Sequence, residues 1–343
     1  MRSFAAVGLV VVLSRLVGAA FGLEWTPMEP LPDSMGFAGA FAGASGGALV
    51  VAGGANFPKG MPWQGGVKVW HDRAWVLAEP GSQWREAGRL ARPLAYGVCV
   101  GGEGAMVCAG GSDAAGHHAD VFRLKWNGSA LEQEPLAPLP LPLAMAAGAL
   151  VGGTFYVACG SERPGEQSAL GRVFTLRLAD ARSAWREIEP LPGVPRILPV
   201  AAVWEGEFLV FGGAALESGP DGKMERRYLR DAWAYRADRG WKRLADLPSP
   251  VAAAPSPAPL MDGALWILGG DDGSRVGFTP MEKHPGFAGR MLAYEPQGDR
   301  WRDEGVAPVV RATVGCVEWR GGFVLPSGEV RPGVRSPEVW RIR

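Results

Sequence analysis

The sequence predicts an all-β protein folded as a six-bladed β-propeller, and three observations carry that prediction. An apolar run closing on a pair of small residues recurs six times along the chain. Fifty glycines and 29 prolines in 343 residues mark many tight turns and leave little room for long helices. Residues are 47% hydrophobic, enough for a sizeable core, yet no long apolar helix interrupts the repeating pattern.

The six runs are ALVVAGG, AMVCAGG, TFYVACG, EFLVFGG, ALWILGG and GFVLPSG. They close on Gly54, Gly111, Gly160, Gly213, Gly270 and Gly328, which lie 49 to 58 residues apart. Each is followed by a loop and then by a strand rich in aromatic or β-branched residues: RAWVL, DVFRL, RVFTL, DAWAY, RMLAY and PEVWRI. Trp84, Trp185, Trp241 and Trp301 come next in four units, often beside a Leu-Pro or Pro turn. One unit has no comparable tryptophan, Trp126 lying too early. A unit of about 50 residues with four short strands and a Gly-Gly signature is the kelch type of propeller blade. Glycine there lets backbones crowd near a central channel, and indoles fill the wedge between blades.

The ring also has to close. PEVWRIR at the C-terminus lacks a tryptophan strand behind it, whereas LEWTPMEPLP near the start reads as such a strand with no blade before it. Leu23–Met28 is therefore expected to complete the last blade, so that no blade is left open at an edge. Residues 23–343 are expected to form this single domain. Residues 1–22 read as a signal peptide, with Arg2, an apolar run from Phe4 to Leu13 and small residues after it. Ala20 and Gly22 suit the −3 and −1 positions of a cleavage site, and Gly18 and Ala20, two residues earlier, suit them nearly as well. The apolar run is about half of the roughly 20 residues that a membrane span needs. The expected location is periplasmic or secreted, with no membrane attachment after cleavage.

Lys and Arg total 35, as do Asp and Glu, so the formal charge is zero. That balance excludes a general nucleic-acid partner, and any recognition of charge must be local. Four cysteines are too few for a disulfide framework. Cys99 and Cys108 would face each other across a two-residue Glu103-Gly104 turn, either bridged or as two small core residues. Neither a copper radical site nor a sialidase is supported. The histidines, His71, His117, His118 and His284, show no paired ligand arrangement, and the boxes typical of sialidases are absent.

In a four-stranded blade, the loop after the second strand and the connection to the next blade emerge on one face. The residues just after the six signatures should therefore be rotational equivalents: Ala55, Ser112, Ser161, Ala214, Asp271 and Glu329. Glu329 breaks the pattern, with Arg331 and Arg335 placed around Pro332-Gly333. A solvated ion pair there would contribute less than about 1 kcal/mol. Position at the channel mouth favours a site instead. Three long loops, 55–71, 214–230 and 271–289, reach the same rim, as long loops on a rigid scaffold do where they bind ligands. Asn56 and His71 stand near the ends of the first. The connections RPLAYG and GVPRILPV bring Tyr96 and Arg196 towards that rim. Arg196, Tyr96, Asn56, His71 and Arg331 are the expected substrate-binding residues.

Taken together, SGEVRPGVR, MGFAGAFAGASGGALVVAGGANFPKG and RPLAYGVCV resemble the kelch-type N-acetylneuraminate epimerases, bacterial mutarotases of sialic acid. The family motif Gly-Glu-x-basic-Pro-Gly-apolar-Arg is matched from Gly328 to Arg335. The resemblance implies that Glu329 is the catalytic acid/base, and that Arg335 binds the sugar carboxylate or balances developing charge. It further implies a small sugar acid as substrate, interconverted between α and β anomers, with no cofactor and no metal. The motif lies mid-chain in the best-known members and near the C-terminus here, as in the cyclically permuted mutarotase relatives. On a closed ring, permutation moves the cut and not the residues facing the channel. The alternative is a non-catalytic kelch propeller that binds a glycan or a protein, since the fold alone carries no function.

Overall fold

A computed structural model of the chain describes residues 17–20, 22–102, 104–180 and 182–343. Of the expected signal peptide, residues 1–16 and 21 lie outside the described residues. Six antiparallel sheets make the blades, numbered here in chain order. Blade 1 runs from the channel outward through Phe41–Ser45, Ala48–Ala52, Arg73–Leu77 and Arg85–Arg89. Blade 2 comprises Val98–Gly102, Ala105–Ala109, Val121–Trp126 and Leu131–Pro135. Blades 3, 4 and 5 repeat the order from Ala147–Val151, Val200–Trp204 and Leu260–Met261. Blade 6 takes Val317–Glu318, Phe323–Pro326 and Val339–Ile342 from the C-terminal end of the chain.

Leu23–Met28 supplies its fourth strand, with Trp25 opposite Ile342 and Met28 opposite Val339. Val17–Ala20 adds a short strand outside it. The ring is thus closed by strand pairing, as the two incomplete ends of the sequence require. Among the described residues there is no α-helix, only three single-turn 3-10 helices.

The core is divided among the six seams between blades. Blades 1 and 2, for example, meet through Phe41, Val50, Met106 and Phe122, all buried. Blades 4 and 5 meet through Leu209, Phe211, Leu265 and Tyr294. Each such side chain stabilises the fold by about 1.5–3 kcal/mol through burial. The outer-strand tryptophans lie in these seams and also stitch them. Trp84 Nε1 donates to the Glu29 carbonyl at 2.8 Å, Trp185 to Ala137 at 2.8 Å, Trp241 to Glu189 at 2.9 Å and Trp301 to Ala245 at 2.9 Å. Every one of these acceptors follows the outer strand of the preceding blade. Cys99 and Cys108 stand opposite each other on the paired strands Val98–Gly102 and Ala105–Ala109, their Sγ atoms 3.6 Å apart as free thiols.

The signature glycines work as the repeats require. Gly270 has φ of 87°, and a Cβ there would come within 2.7 Å of the Ala254 Cβ. A second backbone device carries no side-chain signature at all. Gly39, Tyr96, Met145, Leu198, Ala253 and Thr313 all have φ between 52° and 64°. The N–H of each donates to the carbonyl of its counterpart in the preceding blade, at 2.7 to 2.9 Å, and Gly39 donates to Thr313. Six residues, one per blade, thereby form a closed hydrogen-bonded ring around the channel. The left-handed conformation costs a non-glycine residue about 1 kcal/mol or more, so five of the six rely on the ring to hold it.

Candidate active site

Immediately before each member of that ring, one residue makes an antiparallel bridge with the residue after a glycine signature. The pairs are Ala38–Ala55, Ala95–Ser112, Ala144–Ser161, Ile197–Ala214, Ala252–Asp271 and Ala312–Glu329. The six post-signature positions are therefore rotational equivalents in space as well as in sequence. Glu329 is fixed by both backbone bonds to Ala312, its N–H donating at 2.8 Å and its carbonyl accepting at 2.9 Å.

Beyond Glu329 the chain turns back over Pro332 and Gly333 (φ 80°), so that Glu329–Arg331 pairs with Val334–Arg335. This register places Glu329 directly opposite Arg335. Arg335 Nη2 approaches Glu329 Oε1 at 2.8 Å, with side chains only 3% and 16% exposed. Ser327 pins the base of the hairpin: its Oγ accepts from the Phe37 N–H at 2.7 Å and donates to the Ser336 carbonyl at 2.7 Å.

The carboxyl faces a cavity of about 540 Å³ at the channel mouth. Tyr96, Met145, Leu198, Ala253 and Thr313 from the hydrogen-bonded ring reach its floor. Loops from the other blades raise its walls, with Lys68, His117, Arg226, Tyr228 and Asp271 as the polar contributors. Burial pushes the Glu329 pKa above the ordinary carboxylate value, against the opposing charges of Arg335, Lys68 and Arg226 and a hydrogen bond from Thr313. Burial and the Glu329 charge push Tyr96 up to about 12. Burial lowers the pKa of Lys68, helped by the Arg335 charge, and burial lowers that of His117. Tyr228 donates to Asp271 Oδ2 at 2.6 Å, and burial together with that bond raises its pKa.

The structure brings Glu329, Arg335 and Tyr96 together, Arg335 Nη2 lying 3.3 Å from the tyrosine hydroxyl. Four expected binding residues stand elsewhere. Arg196 is fully buried within blade 4, gripping both Asp231 oxygens at 2.7 and 2.6 Å. Asn56 is 1% exposed and braces the base of the first rim loop, its Oδ1 accepting from His71 Nε2 at 2.8 Å and its Nδ2 donating to the Gly36 carbonyl at 3.1 Å. His71 is thereby held against the Phe37 ring, 5.1 Å between centroids. Arg331 lies over Trp63 and donates to the Glu282 carbonyl at 2.8 Å, tying the third long loop to the hairpin. None of the four lines the cavity.

His117 also joins the cavity wall, with Nε2 3.2 Å from Ser161 Oγ. Lys68, Arg226 and Tyr228 escaped the sequence reading. All three lie in the long loops it singled out, but hairpin pairing decides which loop side chains turn inward. Asp271 was in view as the second acidic member of the rotational set. Among the described residues no group of three or more His, Cys, Asp or Glu side chains is arranged to hold a metal ion.

Residues 15–132 match the family model described as N-acetylneuraminate epimerase. The chain is similar to the N-acetylneuraminate epimerases. One such relative, from Haemophilus influenzae (strain PittEE), is 30% identical over 226 residues, covering 59% of this chain and 57% of its own length. Another, from Brucella suis (strain ATCC 23445 / NCTC 10510), is 40% identical over 129 residues, 34% of this chain and 33% of its own. The chain spans about half the length or less of these curated epimerases. The solved structure of YjhT superposes with a TM-score of 0.61 at 14% identity, over 77% of this chain and 83% of the other, a likeness of fold.

Proposed function

We propose that the protein is a mutarotase that interconverts the α and β anomers of N-acetylneuraminate, acting in the periplasm or outside the cell. The leader-like residues 1–22 support that location, and the epimerase relatives support the substrate. The observation that carries the chemistry is the Glu329 carboxyl, only 16% exposed, facing an open cavity and oriented by Arg335 at 2.8 Å. A volume of about 540 Å³ falls in the range of roughly 300–1,000 Å³ typical of small-ligand sites.

Mutarotation needs little more than a placed proton carrier. The Glu329 carboxylate takes the proton of the anomeric hydroxyl and passes it to the ring oxygen as the bond from that oxygen to the anomeric carbon breaks. The open chain is then a ketone flanked by a carboxylate. Rotation next to the ketone presents its other face to the freed hydroxyl. On reclosure Glu329 takes the hydroxyl proton back and returns it to the former carbonyl oxygen. No proton is gained or lost over the cycle. A carboxyl whose pKa burial has raised suits both halves of this shuttle, because it gives and takes the proton near its own pKa.

The test is proton NMR of freshly released α-N-acetylneuraminate with and without the protein. Wild type is expected to accelerate the approach to the anomeric equilibrium, and Glu329→Gln to remove the acceleration while still unfolding in one cooperative thermal transition. Binding without acceleration in wild type would favour the non-catalytic propeller. Full activity in the variant would reject Glu329 as the proton carrier.

A further inference from the structure

We infer that Lys68, with Arg226 beside it, anchors the carboxylate of the substrate, and that Arg335 does not. The inference rests on the sugar-acid reading above and adds to it the group that orients the substrate.

Arg335 is already committed. Its Nε donates to the Ala55 carbonyl at 3.2 Å, and its Nη2 serves Glu329 at 2.8 Å and the Tyr96 hydroxyl at 3.3 Å. Its guanidinium centre lies 4.7 Å from the Phe57 ring centroid. The remaining Nη1 is buried away from solvent without a partner. A side chain 3% exposed offers no forked pair of donors to a ligand in the cavity. Its place in the site is to hold the Glu329 carboxyl and set its charge.

Lys68 is in the opposite condition. Its Nζ sits among three aromatic rings, 5.1 Å from the Tyr96 centroid, 5.5 Å from Trp70 and 5.9 Å from Phe57. These faces fix the ammonium and lower its need for water, but they accept none of its three N–H bonds in the usual sense. Among the described residues Lys68 makes no ion pair within 4 Å. It lines the same cavity as Glu329, and so does Arg226. The anions nearby are already engaged, Glu329 by Arg335 and Asp271 by the Tyr228 hydroxyl. Among the described residues neither Lys68 nor Arg226 makes an ion pair within 4 Å, so both cations line the cavity without a carboxylate directly on them. Burial and the Arg335 and Arg226 charges disfavour the charged lysine, a penalty that an arriving carboxylate relieves.

The chemistry of the substrate makes the placement useful. In a 2-keto sugar acid the carboxylate is bonded to the anomeric carbon. An anchor for the first beside a base for the second fixes which hydroxyl meets Glu329. Lys68 and Glu329 are near enough that each charge shifts the titration of the other. A carboxylate seated on Lys68 and Arg226 sets the adjacent anomeric hydroxyl towards the carboxyl group that handles its proton.

Calorimetric binding of N-acetylneuraminate and of its methyl ester tests this directly. Wild type is expected to prefer the free acid by about 10- to 100-fold, the scale of a charge-assisted hydrogen bond. Lys68→Met, which keeps the aliphatic stem among the rings, should bind acid and ester alike. Lys68→Arg should recover part of the preference and exclude general damage to the loop as the cause. An acid-to-ester preference that survives in Lys68→Met, or that wild type lacks, overturns the assignment. Wild type that prefers the acid yet leaves mutarotation unaccelerated would sink the mutarotase reading and leave the anchor standing.

Discussion

Asp231→Asn separates a structural arginine from a substrate-binding one, and its size follows from the geometry. Arg196 is 0% exposed, and Asp231 is its only charged partner among the described residues. The pair is bidentate, at 2.7 and 2.6 Å, while Nε and Nη1 also donate to the Val194 and Gly212 carbonyls. The amide of Asn would keep the shape, remove the charge and turn an NH2 towards one guanidinium nitrogen. Breaking one side of a buried pair destabilises by about 3–5 kcal/mol, because the other charge stays buried. At about 2.1 cal/mol/K per residue, a propeller of this length has an unfolding entropy of roughly 0.7 kcal/mol/K, so Tm should fall by about 4–7 °C. Calorimetric or circular-dichroism melting at pH 7 reads the shift, and mutarotation kinetics should show KM within twofold of wild type.

The pH dependence has a definite sign. Burial raises the Asp231 pKa, but hydrogen bonds and charge from Arg196 and the Trp233 indole N–H outweigh it, and the net direction is down. Such a group contributes stability above its unfolded pKa of about 3.9 and loses it as pH falls through the folded value. The Tm gap between wild type and Asp231→Asn should therefore close below about pH 4. A Tm change under 1 °C, or a tenfold rise in KM at unchanged Tm, would return Arg196 to the list of binding residues and refute the reasoning.

Two further outcomes are expected. The pH profile of kcat/KM should rise through an inflection above the ordinary Glu value of about 4.3, since burial raises the Glu329 pKa. The same shift subtracts stability as pH rises from the ordinary value through the raised one, and an inflection at or below the ordinary value would refute a burial-dominated site. Gly270→Ala should destabilise by about 2 kcal/mol or more, because φ is 87° and the new Cβ would lie 2.7 Å from the Ala254 Cβ. Melting of the variant within 1 °C of wild type would show that this signature tolerates a side chain.

The ring was legible in the sequence because its elements repeat. Six glycine signatures and four tryptophans each solve one local problem, and LEWTPM makes sense only as the missing strand of the last blade. Glu329 and Arg335 were legible because the rotational position that Ala55 and Ala214 fill with methyl groups carries an acid there. Arg196 was misread for a physical reason. A guanidinium in an inter-blade connection looks the same in sequence whether it faces a cavity or an aspartate 35 positions onward. Asn56 and His71 likewise hydrogen-bond each other and so are absorbed by the loop they flank. Lys68 stayed hidden because nothing in VKVW says which face of the hairpin its side chain takes. The hydrogen-bonded ring was invisible altogether, since Gly39, Tyr96, Met145, Leu198, Ala253 and Thr313 share a backbone conformation and no side-chain chemistry.

The candidate base sits on the one blade assembled from both ends of the chain, and its surroundings are tied across that seam. Gly328 N–H donates to the Phe37 carbonyl and Leu31 N–H to the Pro337 carbonyl, both at 2.9 Å. Ser327 Oγ accepts from Phe37, and Arg335 Nε donates to Ala55, contacts spanning 290 and 280 residues. Gly39 completes the inner ring by donating to Thr313, one residue beyond the Ala312 that holds Glu329 by two backbone bonds. A hairpin of seven residues has too few contacts to place a carboxyl against a cavity by itself. Its position is borrowed from the closed wheel, through bonds that form only when blade 1 meets blade 6. The same logic makes the chain position of the Gly328-to-Arg335 segment immaterial. What the geometry requires is a blade next to blade 1 and a ring that shuts, and any cut between blades that preserves those bonds leaves the carboxyl where it is.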